Sequence, residues 1–101
     1  MIPELSYSFK EPIWLYAGKD TWHFVTLPKA TAKQIKSLLT GPRRGWGSVR
    51  VSVTIGTTTW KTSIFPHKEV GSFILPIKAS VRKAENLQLG EAPKIKICVL
   101  E

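Results

Sequence analysis

The sequence predicts a mainly β domain with two short helices, and three observations carry that reading. Residues 49–55 alternate strictly between apolar and polar side chains, the period of a strand buried on one face. Residues 29–39 and 77–86 change to the helical period. Glycines and prolines fall between these stretches and leave room only for short elements. The 101 residues fit one domain, residues 1–101, with no room for a second. A hydrophobic share of 43% is enough to build a core and argues against disorder.

The elements follow in chain order. Residues 6–16 are rich in aromatic and β-branched side chains but contain Pro12, so they read as an extended segment or edge strand, since proline has no N–H for a ladder. Gly18, Lys19 and Asp20 form a turn, and residues 22–27 a second strand that Pro28 ends. Ala32, Ile35, Leu38 and Leu39 then line one helical face, with Lys29, Lys33 and Lys36 on another and Gly41-Pro42 as the stop. Residues 72–76 read as a short strand. Ile77, Val81 and Ala84 mark one side of a second helix, which residues 87–90 close. Residues 93–100 make the last strand, with Ile95, Ile97 and Val99 inward. Cys98 between them reads as a small hydrophobe, so that Cys98→Ser carries a measurable cost.

Residues 49–55 and 59–65 read as a hairpin. Val49, Val51, Val53 and Ile55 share one face with Trp60 and Ile64, and Arg50, Ser52, Thr54, Lys61 and Ser63 share the other. Pairing Ile55 with Trp60 keeps those faces, whereas a slip of one residue sets Lys61 opposite Val53 in the core. That pairing leaves a loop of about four residues, Gly56 to Thr59, commonly built on a type I turn.

The segments Trp22-His23-Phe24, Leu27-Pro28, residues 44–51 with their Gly45-Trp46-Gly47, Thr54-Ile55-Gly56, residues 60–66, and Leu75-Pro76-Ile77-Lys78 with residues 81–84 together resemble a bacterial family known as domain of unknown function 1905. The resemblance spans nearly the whole chain. It implies a small double-split β-barrel, a pseudo-barrel of split sheets capped by two short helices and bordering on the α+β class. Swapped-hairpin transcription regulators and antitoxins use the same fold, and the stretch from Leu75 to the last strand is similar to the repeat unit of those DNA binders. It departs from that unit at Glu91, where an aspartate commonly follows the glycine. The family carries no established activity. Relatives often bear a second domain resembling bacteriocin-protection, porin-associated proteins, which this chain is expected to lack.

Charge gives the functional lead. Fifteen Lys and Arg against seven Asp and Glu leave a net +8, which favours nucleic acid, an anionic membrane surface, phosphorylated or other anionic ligands, or an acidic protein partner. The best constellation for such a ligand is Arg43, Arg44 and Trp46 in one loop, Arg50, Thr54, Lys61 and Ser63 on the polar hairpin face, and Lys78 with Arg82 at i, i+4. Trp14, Trp22 and Trp60 read as core or barrel-rim residues. The alternative is a small enzyme or carrier that holds a polar molecule inside the barrel among Arg50, Thr54, Lys61 and Ser63.

No metal, cofactor or catalytic residue is assigned. One cysteine allows no intramolecular disulfide or thiolate cluster, and His23, His67, Cys98 and Asp20 lack ligand spacing. Ser63 sits in no nucleophile elbow, the acids are scattered, and the glycines at 45 and 47 open into a strand rather than a helix. No secretory signal is expected at the N-terminus, and no apolar run approaches the roughly 20 residues of a membrane helix. A cytoplasmic location is therefore expected, and the oligomeric state is left open.

Overall fold

The computed structural model describes residues 6–16, 22–38 and 47–100. The elements run β1 (Ser6–Lys10), β2 (Ile13–Leu15), β3 (His23–Thr26), α1 (Lys29–Leu38), β4 (Val49–Ile55), β5 (Thr58–His67), β6 (Ser72–Pro76), α2 (Ala79–Ala84) and β7 (Lys94–Val99), with a 3-10 turn at Lys68–Val70. All strand pairs are antiparallel, in the order β1-β7-β4-β5-β6-β3-β2. The sheet curls into a half-barrel, and β5 spans its two halves. Val49–Ile55 pairs with Thr58 to Ile64, while Phe65 to His67 pair with β6. The expected mainly β split barrel with two short helices is the fold observed.

Residues 6–16, expected as one edge segment, are two strands on opposite edges of the sheet. Glu11 and Pro12 carry the chain between them. Pro12 lacks the N–H that would continue the β1 ladder, and the next residue, Ile13, bonds elsewhere: its N–H donates to Glu91 O and its O accepts from Gly90 N–H, both at 2.9 Å. One short connection thus supplies both outer strands and draws the edges toward each other.

The interior is filled with apolar side chains from alternate positions. Val51, Val53, Ile64, Leu75, Ile95 and Ile97 are among those fully buried, and α1 adds Ala32 and Ile35. Leu38, expected on that helical face, is 41% exposed. At 100° per residue it lies 120° round from Ala32, while Thr31, 40° from Ile35, takes the buried place. Ala84 is also exposed: α2 has only six residues, and Ile77 precedes its N-cap Lys78, so the two do not share a helical face.

The hairpin faces are as expected, but the register differs by two residues. Val53 opposes Trp60, Ser52 opposes Lys61 and Ile55 opposes Thr58. A shift of two returns every side chain to its own face, so burial alone does not discriminate. The turn does. Gly56 has φ 59° at the first central position of a two-residue loop, as a type II′ turn demands. Glu85, the C-cap of α2, then latches the turn: its Oε2 accepts from Thr58 Oγ1 at 2.5 Å and from Thr57 N at 3.3 Å. A Cβ at position 56 would collide with that carboxylate. Gly56→Ala should therefore lose about 1–3 kcal/mol in urea unfolding, combining the left-handed φ with the disrupted latch. An unchanged midpoint would show that this turn does not set the register.

Helix α2 closes with Asn86 at φ 53°, Leu87 N–H donating to Arg82 O (2.8 Å) and Asn86 N–H to Lys83 O (3.3 Å). This is a Schellman ending, with Leu87 folded against the core. It fixes the last turn of the helix that carries Arg82.

Candidate functional site

The strands β1, β7, β4 and β5 turn their inward positions to the core, so their alternate side chains form one outer face. Register places Ser6, Cys98, Ser52 and Lys61 in one row and Ser8, Lys96, Thr54 and Thr59 in another. Lys10 pairs with Lys94, and Arg50 with Ser63. The cations Lys10, Arg50, Lys61, Lys94 and Lys96 are all exposed. Thr54 and Thr59 join their hydroxyls at 2.9 Å. No α-helix or β-strand among the described residues contains Asp or Glu; Glu11, Glu69, Glu85 and Glu91 lie in turns and connections. The face is therefore cationic and hydroxyl-bearing, with a like-charge pair set directly across two strands, an arrangement that by itself opposes folding. Burial pushes the Tyr7 phenol above its ordinary value, so this inward residue of β1 adds no negative charge.

Arg50, Thr54, Lys61 and Ser63 thus come together as expected, but on the outside. The reading in which they line a ligand chamber inside the barrel is corrected: strand alternation sends them outward, and the interior is closed by Val51, Val53, Ile64 and their apolar neighbours. Cys98 is also corrected. It lies outward between Ser6 and Ser52, half-buried, with Sγ 3.9 Å from Val99 O. Cys98→Ser should consequently leave the unfolding free energy within about 0.5 kcal/mol of the parent, a change that denaturant melts resolve from the larger cost of an apolar site. Arg43, Arg44 and Trp46 lie outside the described residues.

Lys78 and Arg82 do share a site, by a route the helical spacing did not foresee. Lys78 is extended, with φ −70° and ψ 159°, and caps α2 rather than belonging to it. Both line an open pocket of about 250 Å³ with Trp22, His23, Pro76, Ile77 and Ala79. Arg82 Nε donates to Ile77 O at 3.1 Å, and its Nη1 lies 3.4 Å from His23 Nε2. A guanidinium only donates, so Nε2 is the acceptor in this contact.

Trp22 and His23 are the site residues missed by sequence reasoning. Trp60 is buried as expected, but Trp22 is 54% exposed and stacks on Phe24 with centroids 5.9 Å apart and planes at 17°. Phe24 is further packed by Trp14 and Tyr16. The alternation of residues 22–27 held a signal for Trp22 alone: it has the parity of Phe24 and Thr26, opposite to the fully buried Val25 and Leu27, and Phe24 is buried among its own aromatic neighbours. His23 shares the parity of the core and gave no such signal. Ser63 and His23 form no pair, since Ser63 lies opposite Arg50 while His23 meets Arg82. Among the described residues, no three His, Cys, Asp or Glu side chains are grouped to hold a metal ion, and no helix is long and apolar enough to cross a membrane.

The architecture defines a class: a curled antiparallel half-barrel whose interior is packed solid and whose polar chemistry lies on its outer surface. The family model of the domain of unknown function DUF1905 matches residues 9–97, and the chain belongs to that family. No curated protein matches the sequence.

Proposed function

We propose that this domain is a non-catalytic binding module that holds nucleic acid through phosphate contacts on the outer face of β1, β7, β4 and β5. The observation that carries this reading is the set of exposed cations Lys10, Arg50, Lys61, Lys94 and Lys96 among serine and threonine hydroxyls, on strands that hold no Asp or Glu among the described residues. Arginine, lysine and small hydroxyls are the common donors to phosphate oxygens. The repulsion between Lys10 and Lys94 is relieved when a polyanion neutralises them. A membrane surface is less well served, because among the outward positions of these strands Phe65 is the one large apolar side chain in the described residues, too little for insertion beside five cations. Arg43, Arg44 and Trp46, which precede β4 in the sequence, are proposed as further contacts, the arginines to phosphate and the indole to a base.

Fluorescence anisotropy with a labelled single-stranded oligonucleotide tests the reading. The triple variant Lys61→Gln, Lys94→Gln, Lys96→Gln should bind about 50-fold more weakly at 150 mM salt, the counterion-release value for three lost contacts. Parental affinity in that variant would refute the face as the site. Preferential binding to an acidic protein over any oligonucleotide would replace nucleic acid with the other polyanionic partner.

A further inference from the structure

The pocket between β3 and the start of α2 has a composition of its own, and it shares no lining residue with the outer sheet face. We propose that it binds a single nucleotide, the phosphate on Lys78 and Arg82 and the base against Trp22. This goes beyond the sheet-face reading and does not rest on it.

Charge indicates the phosphate. Among the described residues, the lining holds two fixed cations and no carboxylate. A phosphate monoester carries about −1.5 to −2 at pH 7 and matches both cations, whereas a carboxylate would leave one over. Arg82 is already oriented. Its contacts to Ile77 O and His23 Nε2 hold the guanidinium plane and use two of the five N–H donors an arginine carries. A ligand oxygen arriving there meets a fork whose ordering cost has been met in folding.

The indole indicates the base. One face of Trp22 rests on Phe24, which is itself wedged by Trp14 and Tyr16, so the ring has a firm backing. Over half its surface remains open to a second planar group. Size limits the ligand. A volume of about 250 Å³ lies just below the usual range of roughly 300–1,000 Å³ for small-molecule sites, which suits one nucleotide and is too small for a dinucleotide.

Isothermal titration of the full chain with adenosine 5′-monophosphate tests the proposal. Adenosine alone and inorganic phosphate alone should each bind at least about tenfold more weakly, since each keeps half of the contacts. Lys78→Gln and Trp22→Ala should each weaken binding about tenfold, and Trp22→Phe should restore part of it. Arg82→Gln should weaken it more, about 10- to 100-fold, but Arg82 also braces Ile77, so Lys78→Gln at an exposed position keeps the test independent of folding. A 5′-phosphorylated trinucleotide that binds like the monophosphate assigns the pocket to strand ends; one that binds far more weakly assigns it to free nucleotide, and either upholds the site. The proposal falls if no binding occurs at millimolar monophosphate, or if inorganic phosphate binds equally well. It falls also if the Lys61, Lys94, Lys96 triple variant loses as much as Lys78→Gln, because the attraction would then be the general field of a +8 chain.

Discussion

Ile64→Ala should lower the free energy of unfolding by about 2–5 kcal/mol, from lost transfer energy and the cavity left behind. Ile64 is fully buried and opposes Val49, at the point where β5 passes from its pairing with β4 to its pairing with β6. Few positions are worse placed to relax, because two halves of the sheet meet around one side chain. A domain of this length holds about 5–15 kcal/mol in total, so the loss is a large fraction of it. Val53→Ala deletes less volume and should cost less. Lys61→Ala is the internal control: it lies on the same strand with the opposite parity, and should shift stability by no more than about 0.5 kcal/mol. Urea melts followed by circular dichroism give all three values. Equal stability in Ile64→Ala and Lys61→Ala would mean the inward and outward faces of β5 are misassigned.

That contrast also shows what kind of information the sequence carries. Alternation in residues 49–55, carried across the hairpin to residues 59–65, is a local signal tied to burial, and it places Arg50, Thr54, Lys61 and Ser63 on one face. Burial has period two, however, so it is blind to a shift of two residues, and the register was decided by Gly56 and by Glu85, 27 residues beyond Thr58. The separation of β1 from β2 was equally non-local. Pro12 announces a break, but only the partners of Ile13, at Gly90 and Glu91, reveal that the chain changes edge. The pocket is the extreme case: His23 and Arg82 are 59 positions apart, and nothing in the sequence around either names the other. Inside and outside were therefore legible, while the juxtaposition that makes a site was legible only where one hairpin supplied all its members.

The affinity of the domain for single-stranded nucleic acid should fall steeply and linearly with salt on logarithmic axes. Counterion release gives a slope of about −0.7 per neutralised phosphate on a single strand. If Lys10, Arg50, Lys61, Lys94 and Lys96 each meet one phosphate, the slope is about −3.5, and raising salt from 50 to 200 mM costs about 100-fold in affinity. Replacing Lys61, Lys94 and Lys96 with glutamine leaves a slope near −1.4 and a loss of only about sevenfold over the same range. Arg43→Gln with Arg44→Gln should remove a further unit or so if those side chains also reach phosphate, whereas Trp46→Ala should weaken binding with the slope nearly unchanged, because stacking releases no counterions. Slope and affinity thus answer different questions. A shallow slope that none of these variants alters would show that the strand is held elsewhere than on the sheet face. A steep slope that survives loss of the three lysines would indicate attraction by net charge alone, with no residue of this face holding a fixed phosphate.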